Sequence, residues 1–150
     1  MARYLTRAGA RNIFIGGTVF FVLVFLGLTA HFHTVLPERS NADRITPAVE
    51  RGKRIWEEHA CINCHTILGE GAYYAPELGN VWVRYGGEDN PEAARSALKG
   101  WIRNQPTGAP GRRQMPHFEL SESELDDLVA FLRWTSQVET AWDWPPNKQG

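Results

Sequence analysis

Between Ile13 and Leu36 the chain runs for 24 residues, IFIGGTVFFVLVFLGLTAHFHTVL, without one Asp, Glu, Lys or Arg. In lipid every peptide group must be paired within the protein, and for a single segment only a helix does that. At about 1.5 Å per residue such a helix is longer than a hydrocarbon core of about 30 Å. A cleaved leader has a shorter apolar region, about 7–15 residues, so the segment reads as a retained anchor. Arg3, Arg7 and Arg11 precede it with no acidic residue among them, whereas PERSNADR beyond it mixes both signs. Basic residues favour the cytoplasmic side. This predicts residues 1–12 in the cytoplasm, 13–36 in the inner membrane of a bacterium, and the rest in the periplasm. Gly16, Phe20, Leu23 and Gly27 fall near one helix face, a strip that another membrane helix can approach.

Residues 37–45 read as a polar linker, and residues 46–150 as one domain with a tail. Net charge is −1, from 16 basic and 17 acidic residues; three of the 16 lie before the span, leaving 13 against 17. No dense basic face is present, which argues against nucleic acid as a partner. The expected elements are all helical. Thr46 caps a helix with Pro47 in its first position, and this helix leads into Cys61. A second helix is expected over Glu77 to Tyr85, and a third opens at Asn90-Pro91. Pro106, Gly108, Pro110 and Gly111 then enforce a loop. Ser121 and Glu124 form a capping box for the last helix, with Leu120 and Leu125 as its staple. Short helices and long loops bury little core, so the domain needs something further to pack around.

Both cysteines of the chain lie in HACINCHTILGEG, as Cys61 and Cys64, with His65 directly after. C-x-x-C-H is the attachment signature of c-type haem. Two thiols three positions apart lie on one turn and can form thioethers with the vinyl groups of one porphyrin, and His65 then points at the iron. A thioredoxin-like redox pair lacks its βαβ context here, and zinc lacks a second cysteine pair. For the sixth ligand the chain offers two methionines, of which Met1 is on the wrong side of the membrane. Met115, in RRQMPHFEL, is favoured, with His117 as the alternative; bis-histidine ligation would give the lower potential. A haem iron with both axial positions filled passes electrons and binds no substrate. The chain therefore reads as a non-catalytic relay. Arg84, Arg112 and Arg113 are candidates to pair with haem propionates. Glu119, Glu122, Glu124, Asp126 and Asp127 either compensate the dipole of the last helix or steer a basic donor. Trp142 and Trp144 read as anchors against a partner or the membrane interface.

The domain resembles a class I cytochrome c: a haem motif after the first helix, a late Met, and a final amphipathic helix. In that fold the first and last helices cross at a small residue, which Gly52 fits. The whole chain resembles the small, membrane-anchored cytochrome c subunit of bacterial nitric oxide reductase. The shared features are the single span, the CINCHTILGEGAYYAPELGNV block, the QMPHF loop and the WPPN tail. The resemblance implies a large multi-span catalytic subunit as partner, where nitric oxide is reduced to nitrous oxide. It implies a soluble periplasmic cytochrome c or cupredoxin as electron donor. It also implies a calcium ion at the subunit interface, at positions matching Gly71 and Tyr73. Three readings stand beside it: the anchored monohaem subunit of a C-family haem-copper oxidase, a free-standing anchored shuttle, and a haem-based gas sensor whose iron site opens.

Overall fold

The caps legible in the sequence set the starts of three helices of the computed structural model, which describes residues 6–139 apart from 109 and 112. Arg3, Arg112 and the tail with Trp142, Trp144 and the WPPN segment lie outside the described residues. The chain divides after Glu38 into two units. The first is helix α1, Arg7–Arg39, which extends past the apolar stretch at both ends. At its end it runs through Pro37, where the sequence suggested a linker. Proline holds a helical φ but has no N–H, so the last turn loses one bond of its ladder there. The apolar side chains of α1 face outward all round: Phe14 is 74% exposed and Phe21 68%. Lipid is the solvent that suits such a surface.

The second unit holds α2 (Pro47–Glu58), α3 (Val81–Arg84), α4 (Pro91–Asn104) and α5 (Glu122–Thr135), with one small antiparallel ladder, β1 (Thr66–Ile67) on β2 (Glu70–Gly71). Thr46 Oγ1 accepts the Val49 N–H that opens α2, and Asn90 Oδ1 accepts the Ala93 N–H that opens α4. Both halves of the Ser121–Glu124 capping box are made. The core joins Val49, Ile55 and Trp56 of α2 to Leu125, Leu128, Val129, Phe131 and Leu132 of α5. Ala94, Leu98 and Ile102 of α4 and Val81 and Trp82 of α3 close it from the side.

Helices α2 and α5 approach closely at Gly52. A methyl group there would overlap the Asp127 carbonyl oxygen and sit 2.7 Å from Phe131 Cβ. Beside it, Arg51 grips the Asp127 carboxylate with two hydrogen bonds of 2.6 and 2.8 Å. Acidic residues of α5 are similarly engaged elsewhere. Asp126 pairs with Lys99 and Arg95, and Glu122 with Lys99 and Arg103, tying α5 to α4. Most of the acidic run that the sequence offered for steering is therefore spent on helix packing and on the α5 cap.

Helix α3 is shorter than the expected Glu77–Tyr85 element. Leu78 N–H goes to the Thr66 carbonyl at 2.9 Å, and the Glu77 carboxylate accepts the N–H groups of Leu68 and Gly79. These bonds hold residues 77–80 against the ladder, so helix begins only at Val81.

Candidate functional site

Helix α2 ends at Glu58, and Ala60 takes a left-handed φ of 51° that turns the chain into a tight single turn, Cys61–Asn63. Cys64 and His65 N–H groups both return to the Cys61 carbonyl, at 3.1 and 2.9 Å. The C-x-x-C-H residues thus lie on one turn. Residues 71–78 fold back over it, with Ala72 N–H on the Ile62 carbonyl and Ala75 N–H on the Cys64 carbonyl. Gly71 is needed for that return. Its φ is +117°, and a side chain there would overlap the His65 carbonyl.

A cavity of about 700 Å³ opens beside this turn. Cys61, Cys64, His65 and Met115 all line it, although 50 residues separate His65 from Met115. Its apolar walls come from Trp56 on α2, Leu98 and Ile102 on α4, and Leu128 and Leu132 on α5. The two cysteines form no disulfide with each other. Burial pushes the Cys61 thiol up to about 11; a bond to its own backbone opposes the rise, and Cys64 adds to it.

His65 is oriented by a partner that only accepts. Its Nδ1 lies 2.7 Å from the Pro76 carbonyl oxygen, so Nδ1 carries the proton and Nε2 keeps its lone pair. Burial lowers the His65 pKa, the Pro76 bond acts against that, and the Arg84 charge lowers it further. The neutral form, a metal ligand, is favoured. Trp56 packs against the ring with centroids 6.3 Å apart.

Met115 is half-buried at the cavity wall, whereas His117 is exposed and is not among the lining residues. Gln105 is a residue that sequence reasoning missed. It is buried, lines the cavity, and donates from Nε2 to the Pro116 carbonyl at 2.6 Å, next to Met115. No local pattern marks it, because its partner lies across the Pro- and Gly-rich loop. Arg84 and Arg113 both line the cavity; Arg84 donates to the Glu77 carbonyl, and Arg113 to the Tyr74 carbonyl while stacking over the Tyr74 ring. Each guanidinium keeps further donors. Tyr73 lines the cavity and is 71% exposed; Gly71 is not in the lining.

This donor set suits a covalently held iron porphyrin: two thiols and an imidazole with a free lone pair on one turn, a thioether on the same cavity, and apolar walls. A zinc site is not matched, since no group of three or more His, Cys, Asp or Glu side chains gathers among the described residues.

Comparison with known proteins agrees. A family model for cytochrome c matches residues 49–136. The nitric oxide reductase C subunit of Stutzerimonas stutzeri is 57% identical over 150 residues, covering the whole of both chains. The proteins of the same name from Halomonas halodenitrificans and Paracoccus denitrificans are 53% and 50% identical over 151 residues, again with full coverage.

Proposed function

Since this chain belongs to the family of nitric oxide reductase C subunits, which are cytochromes c, we propose that Cys61 and Cys64 hold its haem through thioethers, with His65 Nε2 and Met115 Sδ as the side-chain atoms that would ligate its iron. The chain is an electron-transfer subunit with a covalent haem c. Haem c supplies one-electron chemistry; the residues around it set its access and its potential. One observation supports the ligand assignment above the others: one cavity gathers Cys61, Cys64, His65 and Met115 and leaves out His117. His65 is held in the ligating tautomer by Pro76. A thioether as the partner of an imidazole favours the reduced iron and raises the potential relative to two imidazoles. Arg84 and Arg113 at the cavity supply cationic donors for the propionates.

On this reading α1 anchors the chain in the membrane with its amino terminus in the cytoplasm and the haem domain in the periplasm. A soluble cytochrome c or cupredoxin delivers electrons, which pass to a multi-span catalytic subunit that reduces nitric oxide. An interfacial calcium would need ligands from that partner as well as Gly71 and Tyr73, because the two supply too few oxygens alone.

The test is spectroscopic. Met115→Ala should abolish the Met–iron charge-transfer band and lower the potential, while His117→Ala leaves both unchanged; the reverse pattern would exchange the two assignments. Cys61→Ala with Cys64→Ala should release haem on denaturation. Metal analysis of the complex recovered in mild detergent separates the remaining readings: non-haem iron is expected, copper would indicate an oxidase, and a chain running alone would indicate a shuttle.

A further inference from the structure

A second cavity, of about 360 Å³, lies away from the Cys–His turn and shares none of its lining with the haem cavity. Three arginines, Arg44, Arg95 and Arg133, line it together with Trp82, Trp134 and Gln137. The arginines come from three places: the turn before α2, helix α4 and helix α5. Of the three, Arg95 alone has a carboxylate among the described residues, Asp126 at 3.4 Å, which it shares with Lys99. Its Nε is buried with no acceptor. Arg133 stacks over Trp82, its guanidinium carbon 5.2 Å from the ring centroid. Among the described residues neither Arg44 nor Arg133 forms an ion pair.

Like charges gathered around one concavity repel. One multidentate oxyanion held between the arginines relieves that repulsion. Guanidinium forks match phosphate oxygens in pairs, and a carboxylate offers fewer acceptors to three of them. We propose that this basin binds a phosphate-class oxyanion. The chain itself points to the source. Arg44 follows the end of α1 by five residues, a length that spans at most about 18 Å. So short a tether from a membrane helix allows Arg44 to reach a lipid phosphate. The chemistry is shared by an anionic lipid phosphate and by free phosphate.

Calorimetry on the full-length, haem-loaded chain in nonionic detergent distinguishes them. The probes are inorganic phosphate and dihexanoyl phosphatidylglycerol below its micelle concentration, with the zwitterionic phosphatidylcholine analogue as comparator. Saturable binding of phosphatidylglycerol alone supports the lipid source, and saturable binding of inorganic phosphate supports the free anion. In either case Arg44→Gln with Arg133→Gln should weaken binding about ten-fold or more. Unchanged helix content and haem spectrum show that the variant folds; should it not fold, Arg44→Gln alone, on an exposed turn, should still weaken binding about three-fold. Failure of both probes to saturate overturns the proposal, as does unchanged affinity in the variants. It is equally overturned if neither probe binds while the double variant loses the catalytic subunit, which would make the basin a protein contact.

Discussion

Gln105 and Gly52 each do a job no other residue type does in their places. Gln105 bridges the end of α4 to the Pro116 carbonyl and so fixes the far side of the loop that carries Met115. Replacing it with Leu keeps bulk but removes the donor, at a cost of about 1–3 kcal/mol for the lost bond. The loop should then release Met115 from the iron part of the time. The expected outcome of Gln105→Leu is a weakened Met–iron band and measurable carbon monoxide binding to the reduced protein, with haem content unchanged. A wild-type band in that variant would show that the bond does not position Met115. At Gly52 two effects compete. Alanine raises helix propensity by about 1 kcal/mol. Overpacking a helix crossing costs about 1–3 kcal/mol, and the atom met here is a backbone oxygen, which has no rotamer to move to. The clash should win, so Gly52→Ala should lower the denaturant midpoint; a midpoint equal to or above wild type would mean that the helices slide apart freely.

Helix α5 shows what an element end contributes. Ser121 Oγ accepts the Glu124 N–H, and the Glu124 carboxylate accepts the Ser121 N–H at 2.8 Å and its hydroxyl at 2.6 Å. The bond from the Ser121 side chain, then that from its backbone, hold the Glu124 carboxyl below its usual value of 4.5. A carboxyl depressed on folding stabilises the fold in full above its unfolded pKa, and that contribution is lost as pH falls through the folded value. Ser121→Ala, which removes the N-cap oxygen, should cost about 1 kcal/mol near pH 7. The gap between wild type and variant should narrow below about pH 4.5, where the carboxylate is titrated. Urea titrations at both pH values check this, and a gap that does not change with pH would remove Glu124 from the cap. Caps such as these were legible in the sequence because each is a contact over three or four positions. The Cys–His turn was legible for the same reason. The true start of the helix expected over Glu77–Tyr85 was not, because residues 77 and 78 bond to Leu68 and Thr66, and no local pattern announces partners nine and twelve residues back. Gln105 and the arginine basin escaped reading likewise: their parts meet only after α2, α4 and α5 have packed.

At the scale of the whole molecule the domain is built around the haem cavity. Its apolar walls come from α2, α4 and α5, and without a ligand that surface would face water. The ion pairs between α4 and α5 add little, since most of their groups are exposed and such pairs are worth about 0–1 kcal/mol each. Trp56 of α2 and Leu128 and Leu132 of α5 line the cavity as well as the core, so a haem held there would extend the core that the short helices share. Blocking attachment with Cys61→Ala and Cys64→Ala and removing the haem should abolish the cooperative unfolding transition. Helix α1, an apolar segment, should stay helical in detergent whether or not haem is bound, so total helix content is a poor measure. The informative readout is hydrogen exchange in α2 and α5, whose amides should lose most of their protection while those of α1 keep theirs. Protection of α2 and α5 at the level of the haem-loaded chain would mean that the helices close on one another, with the Gly52 crossing and the Arg51–Asp127 pair sufficient to hold the domain.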